Sequence, residues 1–394
     1  PAPDALLTPA PAPDPPLTPA PAPDVLITPG TSPAPDAPDT PTGTPSHRDE
    51  LDTPTGTGPV GLLGFHVGAD AVTVLLHRTG WAEPRALPTS VGPDLLAEFA
   101  AATTGRRPGL LDLETRRHRV GLWRRLADLL LAPALDALGD DLCRLHLLPH
   151  AGLHRLPLHA LAPGGRPLLE RFPVTFAPSA ATLTHLTRRA PVEAGRSLVL
   201  GFTPNPGDRP ASEGTVRDAA DLLGARPHTG SEATAALLPG SWDVVHLSCP
   251  AAFNPADPYG SGIRLADGLL TARQLMSMTV DAGLVILAAH EPASPRGNGS
   301  PAAGIAALAQ ALLHAGARAV LLTLWPTVAE LTRALLRDFH GRLADGMGPA
   351  RALRGSVLEL RDLYGSAEPE LWAPYVLVGL PDRTDGRAPR PPMS

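Results

Sequence analysis

Lysine is absent from this 394-residue chain, and all 33 of its basic residues are arginine. Without lysine there is no phosphate-binding Walker lysine, no pyridoxal Schiff base and no lysine nucleophile. Asparagine and glutamine are nearly missing too, limited to Asn205, Asn254, Asn298, Gln274 and Gln310. The excess of Ala, Arg, Gly and Pro in their place is expected of a high-GC, actinobacterial-type genome. Cysteine occurs only as Cys143 and Cys249, too few for a disulfide framework or a cysteine-built zinc site, and a reducing compartment is expected. No apolar run approaches the roughly 18 residues of a membrane span. The start has neither a basic n-region nor a continuous apolar h-region, so it does not read as a signal peptide. A cytoplasmic protein is expected.

Charge is scarce where a nucleic acid or a membrane would need it. Residues 1 to 59 hold eight acids and one base, a net −7 in a chain of formal charge −6, so residues 60 to 394 carry +1. A body this close to neutral presents no electrostatic footprint for nucleic acid or for an anionic membrane surface. A protein or peptide partner, with no cofactor and no metal, is the expectation.

What is abundant is proline, 49 residues in all. Eighteen of them fall in residues 1 to 59, where three ten-residue units, PAPDALLTPA, PAPDPPLTPA and PAPDVLITPG, precede a degenerate stretch ending near Pro59. Proline every few residues removes backbone donors and biases the chain to extended polyproline II, so a disordered proline-rich linker is predicted over 1–59. The chain opens with Pro1 inside a repeat, and an upstream domain of the same polypeptide is expected.

From Val60 onward short β-branched or leucine-rich runs alternate with longer helical ones, an α/β pattern. VGLLGFH (60–66) and AVTVLLH (71–77) predict a hairpin, and 119–139 a helix broken near Pro133. Further strands are predicted at 144–149, 197–202, 242–249, 284–290, 318–324 and 374–379. Helices are predicted at 216–225, 302–316, 327–345 and 349–363. The runs at 244–247, 284–289 and 319–324 are apolar on both faces and belong in a mostly parallel sheet covered on both sides. Functional groups are expected at the carboxyl ends of its strands. The predicted division is 60–195 as an amino-terminal part, 196–381 as the core and 382–394 as a disordered tail.

Six segments carry a resemblance: LHLLPHAGLHRLPLHAL (145–161), VVHLSCPAAFNPADP (244–258), IRLADGLLTARQL (263–275), LVILAAHEPAS (284–294), GIAALAQALLHAGARAVLLTLWPT (304–327) and LWAPYVLVGLP (371–381). In this order they make the stretch from about Pro59 to Pro381 similar to a CHAT domain. That family has a caspase-like cysteine-peptidase fold, related to separases and often attached to tetratricopeptide repeats. The resemblance implies a three-layer α/β/α sandwich around a mostly parallel sheet. It also implies a His-Gly pair ending one strand and a cysteine ending the next, the histidine assisting proton transfer, the thiolate attacking the scissile carbonyl and backbone amides holding the oxyanion.

In this chain the family's histidine position falls on Pro250, the glycine after it on Ala251, and the cysteine position on His290. Proline can be neither acid, base nor nucleophile, and an imidazole stands where sulfur is needed. Pro292 and Ala293 also depart from the small Ser-Gly or Thr-Gly step that follows the family's cysteine. No intact catalytic pair is therefore expected, with Cys249 and His246 as fallback candidates and Ala251 and Glu291 as candidate substrate-binding residues. Strand alternation turns Cys249 away from the side of residue 250, so a buried inert cysteine is the default. It also separates His246 from Cys249, against a metal site; His246 shares the side of Pro250 but lies four residues deeper in the sheet, where a hydrogen-bonded core histidine is expected in place of a base.

His150 and His154 flank a turn and are expected to be solvated, as is the carboxylate of Asp243, and Asp267 is expected in a turn with Gly268. Gly297-Asn298-Gly299 is not a phosphate loop, since its spacing is not GxGxxG, and no GxSxG elbow occurs. The expected function is a catalytically degenerate pseudopeptidase serving as a protein-binding or regulatory module in a bacterial signalling or defence system, the setting in which active relatives cut proteins. Two alternatives stand beside it: an active endopeptidase with a rearranged Cys249/His290 dyad, and a purely structural domain.

Overall fold

A computed structural model describes residues 58–103, 113–192, 194–204, 209–288, 302–325, 327–365 and 369–381. The predicted linker before Gly58, the tail 382–394, His290, Glu291 and the Gly297–Gly299 stretch lie outside the described residues.

The chain opens with an antiparallel meander of β1 (Val60–Val67), β2 (Val72–Arg78) and β3 (Arg85–Pro88). The predicted hairpin closes where Gly68 N–H donates to the Ala71 carbonyl at 3.0 Å. Helices α1 (Pro93–Thr103), α2 (Leu113–Leu130) and α3 (Ala132–Leu138) follow. The break between the last two comes just before Pro133, which sits in the first turn of α3, where its missing N–H costs nothing. Then come β4 (Arg144–Leu148), the short α4 (Leu168–Arg171), β5 (Val174–Phe176) and α5 (Ala180–Arg188).

The second half runs β6 (Ser197–Gly201), α6 (Arg209–Leu223), β7 (Pro227–Thr229), β8 (Gly240–Ser248) and β9 (Ala251–Ala252). It continues with β10 (Gly262–Leu265), β11 (Gly268–Thr271), α7 (Ala272–Leu275) and β12 (Val280–Leu287). It ends with α8 (Ala302–Ala315), β13 (Ala319–Thr323), α9 (Ala329–Ala344), α10 (Pro349–Tyr364), α11 (Pro369–Trp372) and β14 (Tyr375–Gly379).

Eleven strands form one sheet in the order β3-β2-β1-β4-β5-β14-β13-β12-β8-β6-β7. Its antiparallel pairings are β1 with β2, β2 with β3, and β13 with β14, and the rest are parallel. β4 and β5 are bonded into the same sheet as the later strands. A separate sheet of β9, β10 and β11 stands beyond the end of β8.

The all-apolar strands bury both faces, and the alternation is legible residue by residue. Val245, Leu247, Val285, Val320 and Leu322 join the cluster that includes Leu308 and Leu312 of α8. Leu284, Ile286 and Leu321 join the cluster of Leu335, Phe339 and Val357 from α9 and α10. This is the helix–sheet–helix layering that two-sided apolar strands require. Among the described residues, no helix is long and apolar enough to cross a membrane.

Candidate functional site

The carboxyl ends of β6, β8 and β12 lie side by side, in register from Gly201 opposite Ser248 and from Leu247 opposite Leu287. This is where a parallel sheet offers groups to a ligand.

Cys249 follows the last residue of β8. It is 3 % exposed, packed with Val245 and Leu247 on the α8 side, and its Sγ lies 3.8 Å from the Leu200 carbonyl oxygen. Burial pushes the thiol up to about 12. A thiolate is the reactive species, and this environment suppresses it. Pro250 comes next, half-buried, its carbonyl accepting from Arg264 N–H at 2.8 Å. Ala251 is 5 % exposed and paired with Ile263, in the edge strand β9 of the small sheet.

His246 faces the other side. It is fully buried, and its Nδ1 lies 3.1 Å from Nε2 of His340 on α9. Burial lowers His340 to about 4, so the His340 ring is neutral near pH 7 and can either donate to or accept from His246. Sequence reasoning singled out His246 and missed His340, although a histidine on the apolar face of α9, beside Phe339, was the available signal. His246 and Cys249 diverge as alternation requires. Among the described residues, no group of three or more His, Cys, Asp or Glu side chains could hold a metal ion. His290 and Glu291 lie outside the described residues.

Two groups expected to be solvated, Asp243 and His154, are half-buried, and Asp267 keeps its expected turn. Asp243 is a loop anchor whose Oδ1 accepts from Ala194 N–H at 2.9 Å and Gly195 N–H at 3.3 Å. Asp267 is exposed in its turn before Gly268, as expected, and accepts from Ala235 N–H at 3.0 Å. His154 is half-buried, and burial with the neighbouring His150 holds its pKa below the usual histidine value. His150 itself is exposed; it stacks on His66 and accepts from Val67 N–H through Nδ1 at 3.1 Å.

The geometry thus sets a buried thiol and a proline at the end of β8. Residues 121–380 match the model of the CHAT domain. The chain belongs to the CHAT domain family. Human Tetratricopeptide repeat protein 28 is 23% identical to it over 322 residues, covering 65% of this chain and 13% of that protein. The mouse protein of the same name is 23% identical over 349 residues, covering 71% and 14%. The chain therefore spans about one seventh of the length of these curated relatives. Among solved structures, a Saccharomyces cerevisiae separase–securin complex superposes on this CHAT domain with a TM-score of 0.55 at 9% identity, over 85% of this chain and 30% of that one. The caspase-like fold expected from the sequence is the fold observed.

Proposed function

We propose that this CHAT domain is a degenerate cysteine peptidase that works by binding a protein or peptide partner, not by cutting it. The observation that carries the reading is at the end of β8. Where the family's histidine belongs there is Pro250, and the adjacent thiol of Cys249 is 3 % exposed with its pKa pushed up to about 12. A proline transfers no proton, and a thiol so buried supplies no thiolate near neutral pH. The family's cysteine position holds His290, which provides no sulfur nucleophile.

A binding role needs none of these groups. The small sheet running from Pro250 to Thr271 is well formed, and strand edges of this kind take extended peptides through main-chain hydrogen bonds. The separase structure that this chain resembles is itself a complex with securin, and partner binding of that kind supports a regulatory or scaffolding role here. A bacterial signalling or defence system is the setting that the resemblance suggests for it, with the proline-rich segment 1–59 as a tether.

The test is cleavage of a proteome-derived peptide library by the purified chain beside Cys249→Ala, His290→Ala and the double variant, with product termini read by mass spectrometry. Product no greater than the double-variant background is expected. Cleavage at a consistent motif that disappears in Cys249→Ala would establish the rearranged dyad instead.

A further inference from the structure

One concavity plays no part in the strand-end reading. It lies over the carboxyl ends of β6 and β7, encloses about 600 Å³, and is bounded by the start of α6, the Thr229–Ser231 segment and the β10–β11 turn. Small-ligand sites typically enclose roughly 300–1,000 Å³. We propose that this pocket binds a guanidinium or alkylammonium group carried on a short aliphatic stem.

The charge of the walls decides the sign of the ligand. The two ionisable side chains among the described lining residues are Glu213 and Asp267, both carboxylates. The basic side chains nearby, Arg226 just before β7 and His228 on it, are turned to Glu232 at 2.8 Å and 3.4 Å. A phosphate or carboxylate would meet like charge here, whereas a cation meets two opposite ones. Asp267 is fixed in place: its two oxygens lie 3.0 and 3.2 Å from Ala235 N, and Ala266 N–H donates to the Ala233 carbonyl at 2.9 Å. A carboxylate held this way has lone pairs left for a second donor.

The remaining surface matches the rest of such a ligand. The hydroxyl-bearing residues Ser212, Thr229, Ser231 and Thr234 line the walls, and a hydroxyl oxygen can accept from an N–H donor. Ser212 is 4 % exposed, and its contact with the Ser248 hydroxyl is 3.4 Å long, at the outer limit of a hydrogen bond, so it retains capacity. Phe202 and Val216 supply an apolar floor for the stem. The backbone reaches this floor because residue 201 is glycine: a Cβ there would lie 2.5 Å from a Val216 methyl.

The same chemistry has two sources, an arginine or lysine side chain of a protein segment and a free diamine. Calorimetric titration of the full chain with agmatine and with acetyl-Gly-Arg-Gly-amide separates them, citrulline in place of arginine being the uncharged control. Saturable binding is expected for at least one of the two cationic probes, with the citrulline peptide silent. Binding of the peptide alone assigns the site to a protein side chain, and binding of agmatine alone assigns it to a free small molecule. The double variant Glu213→Gln, Asp267→Asn should weaken binding by about tenfold or more, about 1.4 kcal/mol. The side-chain amide oxygen introduced at position 267 keeps an acceptor for Ala235 N–H, and unchanged circular dichroism verifies the fold. No saturable binding of either probe, equal binding of the citrulline peptide, or affinity unmoved in the double variant each overturns the proposal. The outcome is independent of peptidase activity, so the strand-end reading stands or falls separately.

Discussion

His246 on β8 and His340 on α9 meet ring to ring in the interior, Nδ1 to Nε2 at 3.1 Å with a tilt of 56° between the planes. This bond ties the strand leading to the candidate site to the helix layer behind it. It exists only while at least one ring is neutral, because two imidazolium rings both donate.

Acid should therefore loosen the fold above the range in which carboxylates titrate. Burial lowers His340 and His146 to about 4 and His159 to about 3, from an ordinary 6.5. The unfolded chain takes up these protons as pH falls through about 6.5 and the folded chain does not, so stability is fully present above that value and is lost down to the folded pKa. For His340 alone the loss is on the order of 3 kcal/mol. Urea unfolding between about pH 7.5 and 5 should show falling stability, and His340→Phe should reduce the slope by up to one proton, about 1.4 kcal/mol per pH unit. An unchanged slope would mean that His340 is not held neutral. Asp141, Asp218 and Glu170, whose arginine partners hold them below the ordinary carboxylate value, contribute only at lower pH.

A buried ion pair joins α2 to α11. Arg119 Nη1 lies 2.6 Å from Glu370 Oε1, with side chains 6% and 7% exposed. Removing one partner strands a buried charge, so Glu370→Gln is expected to cost about 3 kcal/mol in chemical denaturation. Replacing both residues with leucine-sized apolar side chains should recover most of it. A single-variant loss below about 1 kcal/mol would show that water reaches the pair.

Gly316 ends α8 at φ +136°, and a Cβ there would lie 2.6 Å from the Val280 carbonyl oxygen. Both the backbone region and the space require glycine. Gly316→Ala should lower stability by about 1–3 kcal/mol or more, while Gly341→Ala, with nothing near its Cβ position, should be neutral or stabilising. Equal effects of the two would contradict the assigned conformation.

The strands most evident in the sequence were those apolar on both faces, β8, β12 and β13, because a two-sided run has one structural solution. Period-two alternation also placed Cys249 and His246 on opposite faces. Short polar elements were not legible: β3 (Arg85–Pro88) and β7 (Pro227–Thr229) have mostly exposed residues at the edges of the sheet, and neighbours outside their own sequence define them. The same holds for the Glu213–Asp267 pocket, whose walls come from segments far apart in sequence. His340 was within reach as a histidine on an apolar helical face, but its partner is 94 residues away.

The account rests on Cys249 being no nucleophile, and its thiol chemistry can be measured directly. With Cys143→Ser, which keeps a donor for the Gly58 carbonyl, Cys249 is the only thiol in the chain. Its iodoacetamide alkylation rate in the folded protein, followed from about pH 6 to 10, should stay below roughly one hundredth of the rate in urea and show no inflection. A fast alkylation titrating near about pH 7 would reveal an accessible, activated thiolate and contradict the account.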